Sequence, residues 1–134
     1  MTDLFSAVEL GEAVKTEAQM SFKAQSAITK GDVVKMDTHT AGAIGSVSKV
    51  TGTDDKPIGV AQKSVSAGEY VPVLIAGIIK VTGSGAITLG TWVKTAAPGG
   101  SYVMTTASLT VGCLGKALQT FANGDTGLIL LGHW

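Results

Sequence analysis

The groups able to do chemistry are few and scattered along this chain. It holds two histidines, His39 and His133, and a single cysteine, Cys113. A zinc site needs histidine and cysteine ligands at short fixed spacings, and none is present. His39 lies in Asp37-Thr38-His39-Thr40, but no serine stands in a nucleophile-elbow context to make use of a neighbouring base, so it reads as a loop histidine. Asp54-Asp55 offers two carboxylates, yet the loop 52–57 lacks the alternate oxygen ligands of a calcium loop. In Gly83-Ser84-Gly85-Ala86-Ile87-Thr88 a threonine occupies the place of the third glycine of a dinucleotide fingerprint and no helix follows, so the segment is expected to be a turn. Gly112-Cys113-Leu114-Gly115-Lys116 ends in Gly-Lys without the spacing or the hydroxyl of a phosphate loop. Cys113, between Val111 and Leu114, reads as a buried thiol. No catalytic set, cofactor or metal is expected, and the chain does not read as an enzyme.

The composition narrows the partners. Ten basic and ten acidic residues cancel, so nothing in the overall charge asks for nucleic acid or an anionic membrane. Aromatic residues are 5% of the chain, too few for a stacking platform that would hold single-stranded nucleic acid or sugar. Partners are therefore expected to be met through shape, apolar surface and backbone. The start of the chain lacks the basic residues and apolar run of a secretion signal, which fits synthesis in a cytoplasm. The longest apolar run, Val71 to Ile79, contains Pro72 and Gly77 and is about half of the roughly 20 residues a membrane helix needs. It reads as a core strand.

The elements that must position any working surface fall into two parts. Residues 1–20 are acidic, poor in glycine and without β-branched alternation, and are expected to form an extended arm. Its Leu4, Phe5, Val8 and Leu10 fit one or two turns of amphipathic helix that orders on a partner. Residues 21–134 are expected to be an all-β domain. Short strands are predicted over 20–28, 33–36, 44–50, 58–65, 70–81, 87–89, 92–95, 102–106, 114–121 and 127–131, with turns at the glycine clusters between them. Asn123-Gly124 predicts a tight hairpin turn with positive φ. Trp92 is expected in the core, and His133 and Trp134 at a subunit interface.

The chain also repeats itself. GVAQKSVSAGEYVPVLIAG, from Gly59, recurs as GKALQTFANGDTGLILLG, from Gly115, with middle glycines at Gly68 and Gly124. Upstream, Thr29-Lys30-Gly31-Asp32-Val33-Val34-Lys35 matches Thr88-Leu89-Gly90-Thr91-Trp92-Val93-Lys94 as T-x-G-x-x-V-K. A unit spanning about 29–77 is thus doubled over about 88–132. Neither copy can bury its apolar face alone, so a small glycine-rich β-barrel or sandwich built by internal duplication is predicted.

Pro57-Ile58-Gly59-Val60-Ala61, the Ser66-Ala67-Gly68-Glu69 turn, the run Val71 to Gly77 and Leu89-Gly90-Thr91-Trp92-Val93 together resemble the capsid decoration, or cement, proteins of tailed bacteriophages, including the lambda-type head decoration protein. The resemblance covers most of residues 28–132. It implies a β-tulip-like fold and a structural virion protein made in the host cytoplasm, which stabilises the outside of an expanded icosahedral capsid. It also implies homotrimers at threefold and quasi-threefold positions, with the major capsid protein as partner. In such proteins the N-terminal arm contacts the capsid, a role that falls here on Leu4, Phe5, Val8 and Leu10, and on the segment from Met20 through Phe22 to Lys23, which would add a strand to a capsid sheet. A tail-tube or fibre-base β domain and a non-catalytic binding module share the composition and remain open alternatives.

Overall fold

The computed structural model describes residues 13–37, 44–52, 55–96, 102–106 and 113–132. Nine strands run along them: β1 Ala13–Lys23, β2 Val33–Met36, β3 Val47–Lys49, β4 Pro57–Ala61, β5 Tyr70–Gly83, β6 Trp92–Thr95, β7 Tyr102–Thr106, β8 Cys113–Ala117 and β9 Thr126–Leu131. No helix occurs among the described residues, so the protein is all-β as expected.

β5 is the spine of the molecule. Its second part closes a five-stranded barrel in the order β5-β7-β6-β8-β9 and back to β5, with β7 joining in parallel through Thr82–Tyr102 and Gly83–Val103. Its first part belongs to the other half, where β5 pairs with β4, β4 with β2 and β2 with β3, while β1 takes the opposite edge of β5. A parallel bridge from Ala24 to Val47 links the end of β1 back to β3 and completes the ring.

The two halves are built on one plan, down to single hydrogen bonds. Gly31 N donates to Ala61 O at 2.8 Å and Gly90 N to Ala117 O at 2.9 Å. Ile28 and Val65 exchange both backbone bonds, as do Ile87 and Phe121. Gln62 N donates to Pro72 O as Leu118 N does to Leu128 O, and Lys23 faces Tyr70 as Thr82 faces Thr126. β1 is therefore the counterpart of the second part of β5, and β2, β3, β4 and the first part of β5 are the counterparts of β6, β7, β8 and β9.

The glycines that mark the repeat have two different jobs. At Gly59 and Gly115 a Cβ would run into the carbonyl oxygens of Leu74 and Leu130, so the neighbouring strand can come this close only to glycine. At Gly68 and Gly124 the backbone has φ of 88° and 82°, third in a four-residue turn closed by Glu69 N to Ser66 O and by Asp125 N to Ala122 O. That is type II turn geometry, with glycine where φ is positive. The tight turn with positive φ expected at Asn123-Gly124 is this turn, with positive φ at Gly124 alone; it does not join β8 directly to β9, whose connection runs from 118 to 125. Phe121 leaves the hairpin to bridge Ile87 instead.

The apolar side chains gather in two clusters. One fills the first barrel with Phe22, Ala24, Ile28, Val34, Val47, Ala61, Val71 and Val73. The larger one fills the second barrel with Ile79, Val81, Ile87, Val93, Val103, Leu114, Phe121, Ile129 and Leu131, and extends to Val33, Val50, Val60 and Leu74 of the first half. Each fully buried aliphatic side chain of this size contributes about 1.5–3 kcal/mol.

The segment 13–20, expected as part of the arm, is sheet. β1 pairs along its length with β5, from Ala13–Ile79 to Lys23–Tyr70, with irregularities at Ala13/Lys15, Thr16/Ala18 and Ala18/Gln19. Its own residues carry little strand preference. The long apolar edge of β5 supplies the pairing, a tertiary contact that overrides local propensity.

Candidate interaction surfaces

The outer face of the second barrel carries the most distinctive surface. Along β6, Val93 and Thr95 are buried while Trp92 and Lys94 alternate to the outside. Trp92 stands beside Thr106 on β7 and Lys116 on β8; Lys116 stands beside Leu130 on β9, and Leu130 beside Ile78 on β5. This row crosses the whole face. Lys116 is exposed and the other four are half-buried, with the Lys116 ammonium 4.4 Å from the centroid of the Trp92 ring. At a solvated site such a cation–π contact contributes about 0.5–1 kcal/mol. Trp92 is thus not the core residue expected. Its place in the repeat held the signal, since the T-x-G-x-x-V-K match sets Trp92 over Val33 and the Gly59/Gly115 match sets Lys116 over Val60. A lysine where the sister repeat has valine marks a face that is open in one copy and covered in the other.

The polar loops are occupied with holding backbone. Asp55 Oδ2 accepts from Thr51 N at 2.8 Å and Gly52 N at 3.1 Å and pairs with Lys35 Nζ at 3.4 Å. The Thr51 hydrogen bond is the main reason its carboxyl lies below the ordinary aspartate value; burial opposes the shift, while Gly52 and Lys35 add to it. Asp55 is therefore a loop clamp, and Asp54 lies outside the described residues. Gly85 N donates to Asn123 Oδ1 at 2.8 Å, so the fingerprint-like glycines form a turn tied to the Asn123-Gly124 turn. Cys113 is buried in β8 and outside any disulfide. Among the described residues no three His, Cys, Asp or Glu side chains lie close enough to hold a metal ion, and no helix is long and apolar enough to cross a membrane.

Of the residues expected to touch a partner, two are described and they part company. Met20 is 46% exposed, whereas Phe22 is 7% exposed and packs in the core of the first barrel with Ala24, Ile28 and Val71. Phe22, expected at the capsid contact, is inside because β1 forms a wall of that barrel. Leu4, Phe5, Val8, Leu10, His39, His133 and Trp134 lie outside the described residues.

Two fused β-barrels with a mixed aromatic, aliphatic and cationic row on the outside define an all-β protein whose prominent features are surfaces. The same fold occurs in the N base of the head fiber gp8.5 of bacteriophage phi29, with a TM-score of 0.61 and 17% identity over 85% of this chain and 92% of that chain. A family model described as phage cement protein matches residues 11–133. The chain belongs to the phage cement protein family, and so to the structural proteins of the phage virion. No curated protein matches the sequence significantly.

Proposed function

We propose that this protein binds the outer surface of an expanded icosahedral phage capsid and cements it, as homotrimers at threefold and quasi-threefold positions, without catalysing a reaction. Membership of the phage cement protein family over residues 11–133 carries this reading. The sequence supports it independently, since a neutral chain with few titratable groups and a large apolar core is suited to many modest contacts repeated over a lattice. Binding the expanded shell and not its precursor stabilises the expanded state by mass action.

The major capsid protein is met by the arm, with Leu4, Phe5, Val8 and Leu10 as its apolar contacts. The strand-addition role of Met20 to Lys23 rests on the backbone of β1: one edge is taken by β5, and the other carries no strand among the described residues apart from the bridge at Ala24. Such an edge accepts an extended segment by backbone pairing. The likeness to a head-fiber base favours one second reading, a seat on the capsid for a fibre. Co-sedimentation of the purified protein with expanded shells and with precursors, scored as copies per shell, tests the proposal. Stoichiometric, selective binding to expanded shells is expected; a folded protein that binds neither shell contradicts it.

A further inference from the structure

The internal duplication leaves one interface half-used at each end of the molecule. In the first half, Val50 N donates to Val33 O, Val33 pairs with Val60 and Val60 with Leu74, a row of four side chains each 0% exposed. This row lies on the outside of the first barrel, and it is buried because it joins the apolar cluster of the second, where Ile79, Leu114 and Leu131 are 0%, 1% and 1% exposed. One repeat thus covers the outer row of the other.

Both surfaces of that contact recur among the described residues, less completely covered than the internal pair. The counterpart of the row Val50-Val33-Val60-Leu74 is Thr106-Trp92-Lys116-Leu130, paired in the same register, with Lys116 exposed and the others half-buried. Ile79, Leu114 and Leu131 have their counterparts in Met20, Ile58 and Ile75. Met20 faces Val73 as Ile79 faces Ile129, and Ile58 and Leu114 are each the residue skipped at the strand irregularity, between Pro57 and Gly59 and between Cys113 and Gly115. In the first barrel this set is partly open: Met20 is 46% exposed, while Ile58 and Ile75 are half-buried and pack against the apolar cluster of that barrel.

We infer that the Trp92–Lys116–Leu130 face of one copy docks on the Met20–Ile58–Ile75 end of a second copy, repeating between chains the contact made within each chain. The occupant is a second copy of this chain because the chain already contains the mating geometry in covered form. Its outer row differs from the internal one in the expected direction. A lysine stem and an aromatic ring keep the face soluble when alone and apolar when covered, where the buried valines of the internal row need not. The contact is head-to-tail, using different surfaces on the two partners, so it propagates until a ring closes. The inference deepens the homotrimer proposed above and rests on it for the number of copies in that ring.

Sedimentation velocity of the full chain and of charge variants at each end tests it. Trp92→Glu spoils one surface and Met20→Glu the other; Lys116→Glu, at an exposed position, repeats the first test by removing only the cation over the Trp92 ring. The wild type is expected to sediment as a closed oligomer and each folded variant as a monomer. A mixture of Trp92→Glu with Met20→Glu retains one intact face and one intact end, and is expected to give a two-copy complex and nothing larger. The inference is overturned if the wild type stays monomeric at concentrations that saturate shells, if the variants assemble like the wild type, or if the mixture of folded variants forms no complex. A monomer that still saturates expanded shells defeats this interface and spares the cement reading; a closed ring that ignores shells does the reverse.

Discussion

At the scale of single residues, the two repeats solve one packing problem in two ways. In the first barrel, Phe22 on β1 sits opposite Val71, with Val65 at the bridge to Ile28. The second barrel has Val81 opposite Gly127, with Phe121 at the matching bridge to Ile87. The aromatic ring has moved from strand to loop, and Gly127 makes room for it, since a Cβ there would run into the Phe121 ring. Gly127→Val is expected to destabilise by about 3 kcal/mol through overpacking, and Phe121→Val by about 2–4 kcal/mol through the cavity it leaves. The pair together, with Val81→Phe added, rebuilds the arrangement of the first barrel. Denaturant unfolding should show the triple variant regaining most of the stability lost by Gly127→Val; a loss equal to the sum of the separate losses would refute the exchange of volumes. Asp55 supports a second residue-scale prediction. Its folded pKa lies below the ordinary value of 3.8, so its contribution is complete above that value and is lost as pH falls through the lower folded one. Acidification should release the Thr51 and Gly52 amides, read as shifts in their NMR signals, and Asp55→Asn should abolish that transition.

At the scale of elements, what was legible in the sequence followed from local chemistry, and what was not depended on pairing at a distance. The repeat was readable because turn glycines and close-approach glycines are fixed by backbone sterics, and a residue such as Gly68 or Gly124 announces its geometry without help from the rest of the chain. The strand β5 was readable because apolar residues at both parities need cover on both faces. By contrast, residues 13–20 of β1 mix four apolar with four polar residues without β-branched alternation, and become a strand because β5 presents an edge to them. The outward side of Trp92 is set by register across β7, β6 and β8, a matter of distant pairing, and its one trace in the sequence is the repeat, which puts Trp92 over Val33 and Lys116 over Val60. The placement of β1 makes a sharp prediction about truncation. Removal of residues 1–12 should leave the melting temperature within about 2 °C of wild type while lowering occupancy on shells. Removal of 1–18 strips β1 from the Ile79 to Ala76 part of β5, and should lower the melting temperature by at least about 5 °C, the equivalent of one or two lost backbone hydrogen bonds. Equal melting temperatures for the two truncations, read by calorimetry, would show that β1 does not contribute to the body.

At the scale of the whole molecule, the proposed cementing role would rest on a doubled barrel held to the shell by many modest, repeated contacts. The shared strand β5 makes the two barrels one body, so load on one is carried by backbone pairing into the other. Cementing of this kind would work through number: at a hundred times the dissociation constant, each site adds about 2.7 kcal/mol in favour of the shell form it prefers, and a shell carries many sites. The measurement that tests this most directly is the temperature at which genome-filled expanded shells release their DNA, followed as occupancy by the purified protein is raised from none to saturation. For a cementing protein the release temperature is expected to climb with occupancy and to reach its plateau when the sites are full. Saturated shells that burst at the same temperature as bare ones would contradict it.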